Sequence, residues 1–113
     1  MAEPPITKDN KRTQVLNQAI RISVDRAATH GSMRENMQKA ADLISAYLGV
    51  KVSALDVTQI MVMLKAARIK TGEPVDEHFS DQAGYSAMGA EIVEDMKGLN
   101  ANDGAFSATQ QKR

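Results

Sequence analysis

Lys65, Arg68, Asp81 and Tyr85 are the side chains of this 113-residue sequence whose types and spacing could do chemistry. Lys65 and Arg68 are three residues apart, so on a helix they share one side. An Arg in that position grips a phosphate or carboxylate through two parallel N–H donors, and a Lys adds a point charge beside it. Arg68 also continues the apolar stripe set by Met61 and Leu64. An unpaired charge there would be costly, so Arg68 should find an anion or open onto a wet cleft. Asp81 is the expected anion, at the start of the run Asp81-Gln82-Ala83-Gly84-Tyr85, with the Tyr85 phenol one helical turn further on the same face.

Two uses of this constellation follow. In one, Arg68 or Lys65 pairs with Asp81 and locks two helices together across a loop. In the other, Lys65 and Arg68 line a pocket for an anionic group such as a phosphate. The two coexist if Asp81 orients Arg68 while Lys65 stays free to meet the ligand and Tyr85 stacks on it or hydrogen-bonds it. His30 and Asn36, either side of the first helix junction in "THGSMREN", are candidate wall residues. His30 also fits a helix C-terminus, where a cation is favoured, and His78 in the later loop reads as solvated.

No residue can be assigned a catalytic role. Glu91 and Glu94 form a single Glu-x-x-Glu of the kind that can hold magnesium, and a solvated helix face is the reading they favour. Magnesium enters only if those two work as a metal site, and no other cofactor is implied. No His, Asp and Glu spacing fits zinc, and no serine elbow, phosphate loop or glycine-rich dinucleotide fingerprint is present. Fourteen basic residues balance fourteen acidic ones, which removes the basic face that direct nucleic-acid binding needs. The chain has no cysteine, so disulfides and thiolate metal sites are excluded. Met1 to Pro5 lacks a signal-peptide pattern, and no apolar run approaches the ~20 residues of a membrane span. A cytoplasmic protein is the expectation.

Four helices must position these residues. The first is predicted from Lys8 to Thr29, with Leu16, Ala19, Ile20, Ser23 and Ala27 as its apolar stripe, ending at His30-Gly31. The second starts at the capping box Ser32-Met33-Arg34-Glu35 and ends at Gly49, with Met33, Met37, Ala40, Ala41, Ile44 and Leu48 inward. Ser53 and Asp56 cap a third, Ala54 to Lys70, striped by Leu55, Val57, Ile60, Met61, Leu64 and Ala67. Thr71-Gly72-Glu73-Pro74 stops it, and an eight-residue loop leads to a fourth, capped by Ser80 and running to about Leu99. Gly84 and Gly89 inside that helix each cost about 1 kcal/mol relative to Ala, which implies close helix approach. The fold class is all-α, a four-helix bundle-like domain over residues 8–99 with mobile ends at 1–7 and 100–113. Aromatic residues make up only 4% of the chain, so one copy buries a thin core and a homodimer is expected.

The segment "RAATHGSMRENMQKAADLISAYLGVKVSALDVTQIMVMLKAARIKTG", followed by "DQAGYSAMGAEI", resembles a family of small tailed-phage and prophage proteins. The likeness covers Arg26 to Ile92. It is carried by His30, Gly31, Asn36, Tyr47-Leu48-Gly49, Asp56, Lys65, Arg68, Asp81, Gly84 and Tyr85. More distantly, the chain is similar to the phage nucleotide-modification-associated domain and to all-α pyrophosphohydrolases of the MazG and dimeric dUTPase type. Those enzymes hold magnesium with carboxylates on neighbouring helices, and this sequence departs from them by placing Lys and Arg on its third helix. The resemblance therefore implies a phage accessory protein that binds a nucleotide or a nucleotide-derived phosphate ligand. The alternatives are a module that docks on a host enzyme or defence protein, and a divergent magnesium-dependent pyrophosphohydrolase using Glu91 and Glu94.

Overall fold

Each of the first three helices begins where a short polar side chain can accept from the open N–H groups of the first turn. The computed structural model describes residues 10–30 and 32–103, and for 26–30 and 99–103 it describes the backbone alone. Helix α1 spans Lys11–His30 behind Asn10, whose Oδ1 accepts from the Thr13 N–H at 2.9 Å. Helix α2, Met33–Leu48, starts at Ser32, whose hydroxyl accepts from the Glu35 N–H. Helix α3, Ala54–Thr71, carries a complete capping box. Ser53 Oγ accepts from the Asp56 N–H, and the Asp56 carboxylate accepts from the Ser53 N–H. Helix α4 spans Asp76–Asp103. No strand occurs among the described residues, and the all-α bundle expected from the sequence is the fold.

Two chain reversals set the topology. Gly49 closes α2 at φ 74°, a left-handed conformation that a residue with a Cβ rarely adopts. Ser45 then bridges the turn, its Oγ accepting from the Val52 N–H at 2.8 Å and lying 3.1 Å from the Val52 carbonyl. At the other end Gly72 donates to the Arg68 carbonyl, and residues 72–75 lead directly into α4.

The start of α4 corrects the sequence expectation. Ser80 does not cap the helix; Asp76 and Glu77 occupy its first turn, where carboxylates complement the macrodipole. The expected eight-residue loop shrinks accordingly, and Asp81 lies beyond the turn where the dipole is strong. Ser80 is instead buried against α1. Its Oγ sits 3.0 Å from the Val15 carbonyl and 2.7 Å from Gln18 Oε1, so its one proton is shared between two acceptors. At the far end α4 stays helical to Asp103, past the predicted end at Leu99. The ends predicted to be mobile, 1–7 and most of 100–113, lie outside the described residues, as does Gly31.

Helix α4 lies along α3 and α1, and α2 packs on α3. The core gathers Met37 and Ala41 from α2, Ala54 and Val57 from α3 and Ile92 from α4, with Leu55, Met61, Tyr85 and Met88 packed around it. Within the predicted α1 stripe, Ala19 turns inward while Leu16 and Ile20 are exposed. The reason is that α1 has two adjacent apolar faces, Val15–Ala19–Ile22 and Leu16–Ile20–Val24. The first carries the small Ala19 and lets α4 come close enough for Ser80 to reach the Val15 carbonyl. The same competition leaves Ile60, Leu64 and Ala67 of α3 exposed.

The two helical glycines differ. A Cβ on Gly89 would lie 3.0 Å from Thr58 Oγ1 and 3.4 Å from Leu55 Cδ1, so α3 and α4 approach closely there. Thr58 cannot yield easily, because it is fully buried and its hydroxyl is held on the Leu55 carbonyl at 2.6 Å. A Cβ on Gly84 meets nothing within 4 Å, which is room rather than contact. Gly84→Ala should therefore stabilise the protein by about 0.5–1 kcal/mol, the ordinary helix-propensity gain. Gly89→Ala should lose that gain to the clash and lower stability. Urea midpoints of the two variants test this, and equal shifts of the same sign would contradict it.

Candidate functional site

A helix pair joined by a short loop must run antiparallel, so residues equally distant from the loop come abreast. Lys65 and Asp81 are such a pair, and Gln82 reaches across the same seam to donate to the Val62 carbonyl at 3.3 Å. The Lys65 ammonium lies 3.0 Å from Asp81 Oδ2, with the two side chains 16% and 3% exposed. The expected lock forms with Lys65, one of the two cations considered for it, and not with Arg68, which the stripe of α3 favours. Arg68, expected beside Asp81 on a buried stripe, is exposed. It falls one turn closer to the loop, where the neighbouring α4 residues belong to its first turn.

Asp81 is also part of the wall of a groove between α1 and α4. Ala19, Ile22 and Ser23 form one side and Ser80, Asp81, Gly84, Tyr85 and Met88 the other, with Met33 closing the end towards α2. The groove measures about 350 Å³, a figure that includes the open solvent at its mouth. Its walls are mostly apolar, with a buried carboxylate and a phenol among them. Gly84 lines it, so the missing Cβ widens the groove instead of tightening helix packing.

The other predicted site residues are placed as follows. Asp81 and Tyr85 meet in the groove, Lys65 reaches it through Asp81, and Arg68 stands outside on α3. Asn36 is exposed on α2 and is not part of the lining. His30 ends α1, and its side chain lies outside the described set. His78, read as solvated, is half-buried, with Nδ1 enclosed and making no hydrogen bond. Glu91 and Glu94 are both exposed, and Asp95 beside them pairs with Arg34 at 3.0 Å. Among the described residues no three His, Cys, Asp or Glu side chains come close enough to hold a metal ion. Sequence reasoning missed Ser80, Met33 and Met88 as wall residues because caps and core stripes use the same residue types.

With this geometry in hand, comparison with known proteins gives the class. Residues 14–93, well over half of the chain, match the family described as a domain of unknown function, DUF6378. The chain belongs to that family. It is also 35% identical over 82 residues to the Gene 55 protein of Mycobacterium phage D29, a segment covering 72% of this chain and 54% of that protein. The chain thus spans about half the length of that curated relative, and it is phage-associated. No solved structure matches it. No helix among the described residues is long and apolar enough to cross a membrane.

The pairing reverses which cation matters for folding. Removing the ammonium takes the ion-pair partner from a nearly buried carboxylate, so Lys65→Met should cost about 3 kcal/mol. Arg68→Ala, at an exposed position, should stay within about 0.5 kcal/mol of the parent. Chemical denaturation of the two variants measures both, and the opposite ranking would mean that Arg68 holds Asp81.

Proposed function

We propose that this chain is a phage accessory protein that binds a nucleotide or a nucleotide-derived phosphate ligand along the groove between α1 and α4. The observation that carries it is the Lys65–Asp81 pair beside that groove. A buried ion pair is poor value for stability, since apolar side chains of similar volume often do as well. Its place at the wall of a groove suits ligand positioning. An ammonium has three donors, and Asp81 takes one of those on Lys65, which leaves two for a phosphate. Arg68, one turn along α3 and exposed, adds a guanidinium that can grip the same group bidentately. Tyr85 and Met88 offer a flat, polarisable wall for a base, and Asp81 can accept from an exocyclic amine. In this reading the groove takes the base, and the phosphates extend outside it to Lys65 and Arg68.

A second reading has its own observation. Tyr47 at the end of α2 is almost wholly exposed, with Leu43, Leu48 and Val50 exposed near it in sequence, a surface suited to a host protein. Thermal denaturation with a panel of nucleotides, with and without magnesium, separates the two. The ligand reading expects one nucleotide at about a hundred times its Kd to raise Tm by on the order of 10 °C without metal. Arg68→Ala should weaken that ligand about tenfold and leave the unliganded Tm unchanged. Magnesium-dependent release of pyrophosphate would instead assign Glu91 and Glu94 a role. No shift with any nucleotide would leave the surface around Tyr47 as the working face.

A further inference from the structure

The run Ile60-Met61-Val62-Met63-Leu64 wraps α3 in apolar side chains on every side. Within the chain, α2 and α4 cover two of those sides. The third carries Ile60, Met63, Leu64 and Ala67 at the i, i+3, i+4, i+7 spacing of a single stripe, and it is open. Ile60 is 38%, Met63 61% and Leu64 45% exposed, and Ala67 is exposed as well. A helix apolar all round is normally enclosed. The described part of this chain buries only Ala19, Met37, Ala41, Ala54, Val57 and Ile92 as its apolar core, and half of these are Ala. The fold is short of apolar burial in its own chain. A partner that makes up the deficit must be present whenever the chain folds, and a second copy always is.

We infer that α3 pairs antiparallel with α3 of a second copy, about a two-fold axis passing between Met63 and Leu64. The pattern of sizes is self-complementary in that register. The bulky Ile60 of one copy meets the small Ala67 of the other, and Met63 meets Leu64. The ends of the helix agree with it. The first turn holds Asp56 and the last turn Arg68 and Lys70, so antiparallel pairing brings opposite charges and opposed dipoles together. A parallel pair would set like against like. With fourteen charges of each sign, two copies carry no net repulsion. Met63 at the centre gives an adaptable contact.

Light scattering across the micromolar range should return the mass of two chains, and a single-chain mass throughout would overturn the inference. Met63→Glu, a charge beside the axis, should lower the mass to one chain or, if the fold needs the pair, unfold it. A folded dimer carrying Met63→Glu would move the interface elsewhere. The chain has no cysteine, so Met63→Cys introduces one thiol per copy, and a disulfide requires Cα atoms within about 7 Å. The Met63→Cys protein should cross-link rapidly on mild oxidation, while Glu91→Cys, on an exposed part of α4, should not. Equal rates for the two would sink the proposed face, whatever Met63→Glu does to folding.

Discussion

Residues 72–75 decide which side chains of α3 stand opposite which side chains of α4. The loop has no slack: Gly72 already donates to the last turn of α3, and the Val75 carbonyl accepts from the His78 N–H in the first turn of α4. With the reversal fixed, antiparallel register sets Thr58 against Gly89, the Val62 carbonyl against Gln82 and Lys65 against Asp81. The ion pair, the close approach and the cross-helix hydrogen bond are three readings of one register. Inserting one residue into α4 ahead of Asp81 would turn everything beyond it by roughly 100° about the helix axis relative to the first turn, and all three would be lost together.

That register explains how much of the molecule was legible in the sequence. The caps at Ser32 and Ser53 and the stops at Gly49 and Gly72 were readable because each is a local event. The start of α4 was not, since Asp76-Glu77 and Ser80 are both plausible openings and only contact with α1 decides between them. With the helix starting at Asp76 instead of just after Ser80, Asp81 lies beyond the first turn, and of the two cations that could meet it Lys65 is the one that does. Asp81 was legible as the anion of the ion pair because a cation near the inner face of α3 needs one wherever α4 begins. The two faces of α1 pose the same difficulty in another form. Periodicity finds Leu16 and Ile20, and nothing local reveals that the side with Ala19 is the one that fits α4.

The interior is built from small residues and flexible ones. Ala19, Ala41 and Ala54 are buried where helices meet, and Met37, Met61 and Met88 fill what remains. Such an interior favours close backbones over large apolar area, and polar bonds between helices take a larger share of the specificity. Ser80 to α1, Gln82 to Val62 and Lys65 to Asp81 each tie α4 to a neighbour at one register. A slipped register would leave these groups buried without partners.

Helix α1 is attached differently from the other three. It holds to α4 through Ala19, the Ser80 hydroxyl and the Lys11–Asp76 bridge, and that bridge is exposed and worth little. It takes no part in the cluster formed by Met37, Ala41, Ala54, Val57 and Ile92. Its burial is therefore local to the seam with α4. Ala19, Ile22 and Ser23 are one whole side of the groove. The capacity of the groove is thus set by how closely α1 lies against α4.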